Sequence, residues 1–124
     1  MEVPVNAQIG LLVVTILCAF ANGLEVAAKA VRAQFVMRNS AEVGVPPRWI
    51  PYLAAAEGAG ALGLALGLLG IRQIGLAAAV GLVVFFVGAV LTHVRARVFH
   101  NIAFPAAFLV VAVAAVAHFA WAAG

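Results

Sequence analysis

The chain has 124 residues; 67% are hydrophobic and only 9% are Asp, Glu, Lys or Arg. A soluble domain carries about a quarter charged residues, so a mean hydropathy of +1.19 excludes an ordinary soluble globule and makes the lipid bilayer the expected solvent. The net charge of +3 rests on seven cations with no dense cluster and no aromatic-basic interleaving, which removes nucleic acid from the expected partners.

Four apolar segments follow one another, over about residues 8–31, 50–69, 74–94 and 102–122. Each reaches the roughly 20 residues needed to cross a hydrocarbon core of about 30 Å. None alternates like a barrel strand. The sequence therefore predicts an all-α fold, an integral membrane four-helix bundle, as a single membrane domain over 1–124.

The first segment ends in "AFA" at 19–21, which resembles a cleavage site, but Met-Glu-Val-Pro at the start offers no positive n-region. It reads as a retained helix. Cys18 is the sole cysteine and sits among Leu17, Ala19 and Phe20. That setting makes it a small buried apolar residue. "NSAEVGVPPRWIP" holds Pro46, Pro47 and Pro51 and predicts a loop or short interfacial piece, with Trp49 and Tyr52 as an aromatic belt. In the second segment Gly63 and Gly67 make a small-xxx-small contact, read here as internal to the bundle. "GIRQIG" predicts a tight turn, so segments two and three should be antiparallel neighbours. "RARVFHN" separates the last two segments, and Pro105 falls in the first turn of the fourth, where proline is tolerated.

Loops one and three lie on the same side of such a bundle. Lys29, Arg32, Arg38, Arg48, Arg95 and Arg97 lie there, and only Arg72 lies opposite. This asymmetry makes the first side cytoplasmic, with both termini outside.

The polar residues of the segments gather toward that side. Thr15, Cys18, Asn22, Glu25, Lys29 and Arg32 share a stripe about 100° wide on the first helix. Lipid cannot satisfy such a stripe, so it should face protein. Glu25 and Lys29 are spaced i, i+4 in the favourable order. Glu57 stands alone between "YLAAA" and "GAGALGL", about two turns into the second segment. A carboxylate at that depth is costly unless paired or protonated. It is either a cross-helix hydrogen bond or a ligand, proton or acid-base site. Thr92 and His93 end the third segment nearby, followed by Arg95. His93 is an interfacial histidine or, paired with a Glu, a general acid or base. No HxxxH or ExxH spacing supports a metal, and neither His93 nor His118 carries a haem motif. His118, alone near the far end, reads as interfacial. The residues assembled as a candidate site are Glu57, His93 and Glu25 for acid-base chemistry, and Lys29, Asn22, Thr92 and Arg95 for binding a ligand.

Three stretches also resemble a known family. "ANGLEVAAKAV" is similar to the end of helix 1, "VGVPPRWIPYLAAAEGAGALGLALGL" to the Pro-containing loop and the Glu-bearing, Gly/Leu-rich helix 2, and "FVGAVLTHVRA" to the end of helix 3 in the DoxX-like proteins, small four-helix integral membrane proteins of bacteria. The resemblance covers roughly residues 20–100, and carries over to Lys29, Glu57 and His93. It implies a bacterial inner-membrane location. Some family members are subunits of a thiosulfate–quinone oxidoreductase, and others are linked to membrane oxidoreductase complexes and oxidative-stress defence. That implies a quinone as cofactor or ligand, and a protein partner or homo-oligomer.

Three functional readings follow. One is an accessory or quinone-interacting subunit of a membrane oxidoreductase system. Another is a stand-alone isomerase or epoxide-opening enzyme on a lipophilic small molecule. The third, a small multidrug-type antiporter, is disfavoured: Glu25 lies near its helix end, and Glu57 is a second carboxylate.

Overall fold

The computed structural model describes residues 2–123. Among them there is no strand. Helix α1 spans Val5–Ala30, α2 Gln34–Glu42, α3 Ile50–Leu68, α4 Arg72–Ala96 and α5 Ala103–Ala117. A 3-10 turn at Pro47–Trp49 leads into α3, and a π-helical turn at His118–Ala122 ends α5. Four helical stretches, Val5–Ala30, Pro47–Leu68, Arg72–Ala96 and Ala103–Ala122, are long and apolar enough to span a bilayer. The all-α membrane reading therefore holds.

The burial pattern is inverted relative to a soluble protein. Thr15, Asn22 and Glu57 are fully buried, and His118 is nearly so. Phe20, Leu24, Leu62, Val84, Leu91 and Val110 are all more than half exposed. Water would penalise that surface; lipid is the solvent that accepts it. This is a multi-pass membrane protein.

The long helices close a ring in the order α1, α3, α4, α5 and back to α1. The α3–α4 contact depends on small residues. Gly60 faces Leu82, Gly63 faces Ala78, and Gly67 faces Gly75 and the ring of Phe119. A Cβ on Gly67 would collide with the backbone of Gly75. The Gly63–Gly67 contact is thus internal to the bundle, and it lets van der Waals packing draw the helices together where lipid gives no hydrophobic drive.

One stop motif recurs. After α1, Ala33 N–H donates to Ala28 O and Arg32 N–H to Lys29 O (2.9 and 3.1 Å). After α4, Val98 N–H donates to His93 O and Arg97 N–H to Val94 O (3.0 and 3.1 Å). Both are Schellman stops, in which the chain leaves the helix through a left-handed residue. Those residues are Arg32 (φ 51°) and Arg97 (φ 56°), while after α3 the same place is taken by Gly70 (φ 121°).

The short helix α2 was not foreseen as a helix. The segment between the first two spans is partly helical because Val36, Ser40 and Val43 recur at helical spacing on a short amphipathic piece. Val36 is buried beneath it.

Candidate functional site

The first helix turns Thr15, Cys18, Asn22, Glu25 and Lys29 inward, as their spacing requires, while Arg32, assigned to the same stripe, lies exposed beyond the helix end. Lys29 lies one turn beyond Glu25, and its Nζ reaches Glu25 Oε2 at 3.4 Å. The same Nζ donates to Glu57 Oε1 on α3 at 2.6 Å. Glu57 is completely buried, Lys29 is 13% exposed and Glu25 33%. The cross-helix pair is therefore the desolvated one, and Glu25 closes the triad toward the outside. Glu57 Oε2 is buried and has no protein partner.

This triad forms part of the wall of a cavity of about 450 Å³. Its other walls are apolar: Leu53 on α3, Phe85, Phe86 and Ala89 on α4, and Phe108 on α5. Helix α2 roofs it through Phe35, Val36, Asn39 and Ser40. The roof is tied down at its end, where Glu42 Oε2 meets His100 Nε2 at 2.9 Å in the α4–α5 connection. Phe35 and Phe104 line the cavity while remaining 44% and 70% exposed, so they mark its outer edge.

His93 also lines the cavity. Its Nδ1 lies 2.9 Å from Ala89 O. A carbonyl can only accept, so Nδ1 carries the proton and Nε2 is the nitrogen left to meet a ligand. Asn101, in the α4–α5 connection, contributes a buried amide oxygen with no protein partner.

The structure thus brings together Glu25, Lys29, Glu57 and His93. It leaves three grouped residues elsewhere. Asn22 is buried one turn deeper, where its Nδ2 donates to Cys18 O at 2.9 Å and weakly to Cys18 Sγ at 3.5 Å. Thr92 turns its hydroxyl back onto Gly88 O at 2.7 Å. Arg95 is exposed. None of the three lines the cavity. Thr92 and Arg95 lie one before and two after His93, positions that point to other faces of the helix, and Asn22 shares the face of Glu25 but lies too deep to reach the cavity. The aromatic walls and the roof were missed. The apolar periodicity of 34–43 was the available signal for the roof; nothing in the sequence distinguishes Phe85, Phe86 and Phe108 from lipid-facing phenylalanines. Cys18 is fully buried, as its neighbours suggested.

Among the described residues no group of His, Cys, Asp or Glu is arranged to hold a metal ion. The arrangement can do two things chemically. It can hold a polar group against a buried ion pair, and it presents carboxylates from α1 and α3 and an imidazole from α4 to the same cavity, groups able to give or take a proton from a ligand bound there.

Residues 13–115 match the model of the DoxX-like family. The chain belongs to the DoxX-like family. No curated protein and no solved structure matches it. The matched span includes every polar residue of the cavity wall, from Glu25 to Asn101, and the whole of α2.

Proposed function

We propose that this DoxX-like protein binds a lipophilic small molecule in the roofed cavity, with its apolar body among the phenylalanines and its polar end at Lys29 and Glu57. One observation carries this reading: a buried ion pair forms part of the wall of a cavity that is otherwise largely apolar. Small-molecule sites have this composition, with apolar walls and few placed polar groups, and volumes of about 300–1,000 Å³. Glu57, His93 and Glu25 are the acid-base groups of the site, and Lys29 is the charge that orients the polar end.

The family's links to quinone-dependent enzymes make a quinone one candidate and an accessory role beside a membrane oxidoreductase the broader setting. The location that fits is the bacterial inner membrane, with the roofed end toward the cytoplasm. Six of the seven cations lie at that end, although Lys29 is engaged by carboxylates and counts less toward orientation. His93, which lines the same cavity as Glu57, supports a second reading: proton transfer on the bound lipophile, as in an isomerase or epoxide-opening enzyme.

The test is saturable binding of decylubiquinone and of para-octylphenol to purified protein in lipid nanodiscs. The Ala89→Trp variant, which fills the cavity from α4, sets the background of simple partitioning. Binding that disappears in Ala89→Trp is expected. Ligand uptake identical in the two proteins, for both compounds, would remove the reading.

A further inference from the structure

The two oxygens of Glu57 are not equivalent. Oε1 accepts from Lys29 at 2.6 Å. Oε2 has no protein partner, although the side chain is entirely buried. An unmet acceptor in a water-poor place is costly, and a carboxylate oxygen can only accept. Glu57 is among the residues lining the cavity, with Oε2 covered, so a ligand that gains access to Oε2 must bring a hydrogen to donate.

The surrounding groups narrow the donor. Lys29 donates to Glu57 and, at longer range, to Glu25; its third N–H can serve a ligand acceptor, but an acceptor alone leaves Oε2 unmet. A ligand ammonium at Oε2 would sit beside the Lys29 charge at low dielectric, where like charges repel strongly. A carbonyl or ether oxygen would set its lone pairs against those of the carboxylate. A neutral hydroxyl avoids both penalties and gains a short charge-assisted bond. Asn101 adds no such selectivity, because its amide can present either an acceptor or a donor.

On the reading that the cavity takes a lipophile, we propose that it selects apolar alcohols and phenols over their ether, carbonyl and amine counterparts, with the ligand hydroxyl donating to Glu57 Oε2.

Para-octylphenol and its methyl ether test this, since they differ only in whether the oxygen can donate. Their binding to the protein in nanodiscs is measured above the Ala89→Trp background, with octylamine as a third ligand. The phenol is expected to bind at least about tenfold more tightly than the ether, as the loss of a hydrogen bond to a charged group implies. In Glu57→Gln the gap should narrow to less than about threefold, because the side-chain amide offers a donor as well as an acceptor. Equal binding of phenol and ether to the wild-type protein overturns the proposal, and needs no variant to fold. So does tighter binding of octylamine than of the phenol. If phenol, ether and decylubiquinone all fail to rise above the Ala89→Trp background, the lipophile reading itself falls, and this selectivity with it.

Discussion

The two ends of the bundle solve the same problem differently. At the α3–α4 turn, glycines let the backbones of α3 and α4 meet, with the Phe119 ring against both Gly67 and Gly75. At the opposite end, the same helices and α5 stand around a cavity of about 450 Å³, walled by phenylalanines and a buried Lys29–Glu57 pair. The closed end has small residues in contact and so carries the packing. The open end places polar groups that packing alone would exclude. In a membrane, where helices gain little by leaving lipid, a tightly packed end lets the other end stay open.

The sharpest way to break this contrast is to thicken the closed end. Gly67→Leu would drive a side chain into the Gly75 backbone and the Phe119 ring. Backbone cannot give way as a flexible side chain can, so the cost should exceed about 3 kcal/mol, at the upper end for overpacking. Gly81→Leu is the control, because a Cβ there meets nothing. Thermal unfolding in detergent should show a large drop for the first variant and little change for the second. Comparable drops would mean that α3–α4 contact is not what closes this end.

The open end depends on charge rather than contact. Lys29→Met leaves the buried Glu57 carboxylate without its only partner among the described residues, and removing one member of a buried pair costs about 3 kcal/mol. The double variant Lys29→Met, Glu57→Gln removes the unpaired charge as well. It should recover a large part of the loss, since what destabilises is the orphaned charge and not the missing attraction. A double-mutant cycle on unfolding in detergent measures this. If the double variant is as unstable as Lys29→Met alone, the pair is not the element that holds α1 to α3 at the cavity.

The sequence exposes the two ends unequally. Helix number and the inward polar stripe were legible because hydropathy and 3.6-residue periodicity are local. Glu57, Lys29 and Glu25 could be placed by depth alone, as charged groups have few tolerable positions in lipid. The internal use of Gly63 and Gly67 was also legible, from spacing. The cavity was not. Its walls are phenylalanines on three faces, and in a chain that is 67% hydrophobic an inward phenylalanine looks like a lipid-facing one. Asn22 and Arg95 show the converse. Asn22 shares the stripe with Glu25 and Lys29, but it sits a turn deeper and spends its amide on Cys18 O. Arg95, grouped because it follows His93 in sequence, is exposed.

The two ends also finish their helices differently. At the closed end Arg72, on the first residue of α4, reaches back to α5. Its Nε donates to Phe119 O at 2.6 Å and its Nη2 to Ala120 O at 3.0 Å. There the last turn widens, with Ala123 N–H donating to His118 O at 2.7 Å. A cation on these end carbonyls satisfies acceptors that the helix leaves open and complements its dipole. Arg72→Ala should lower stability by about 1–2 kcal/mol, and hydrogen exchange should rise first at Ala120–Ala123. Exchange rising equally at α2 would mean that the ends are coupled and not separate, as drawn here.

The smallest effect separates the ends by strain. Gly70 at the closed end, and Gly44 after the short α2, hold the left-handed stop without a steric penalty, whereas Arg32 and Arg97 hold it after the membrane-spanning α1 and α4 at the open end with a Cβ in place. For such a residue the left-handed region costs roughly 1–2 kcal/mol. Glycine removes that cost, but gives part of it back because its unfolded chain has more freedom to lose. The net expectation for Arg97→Gly is a gain of about 0.5–1 kcal/mol, read as a small rise in unfolding temperature in detergent. Arg97→Ala keeps the Cβ and also removes the charge, so it should show no such gain. If alanine stabilises as much as glycine, the benefit comes from deleting a charge among neighbouring cations. The strain would then not distinguish the open end from the closed one. If only glycine does, two membrane helices stop under strain at the cavity end, where strain tends to collect around functional sites.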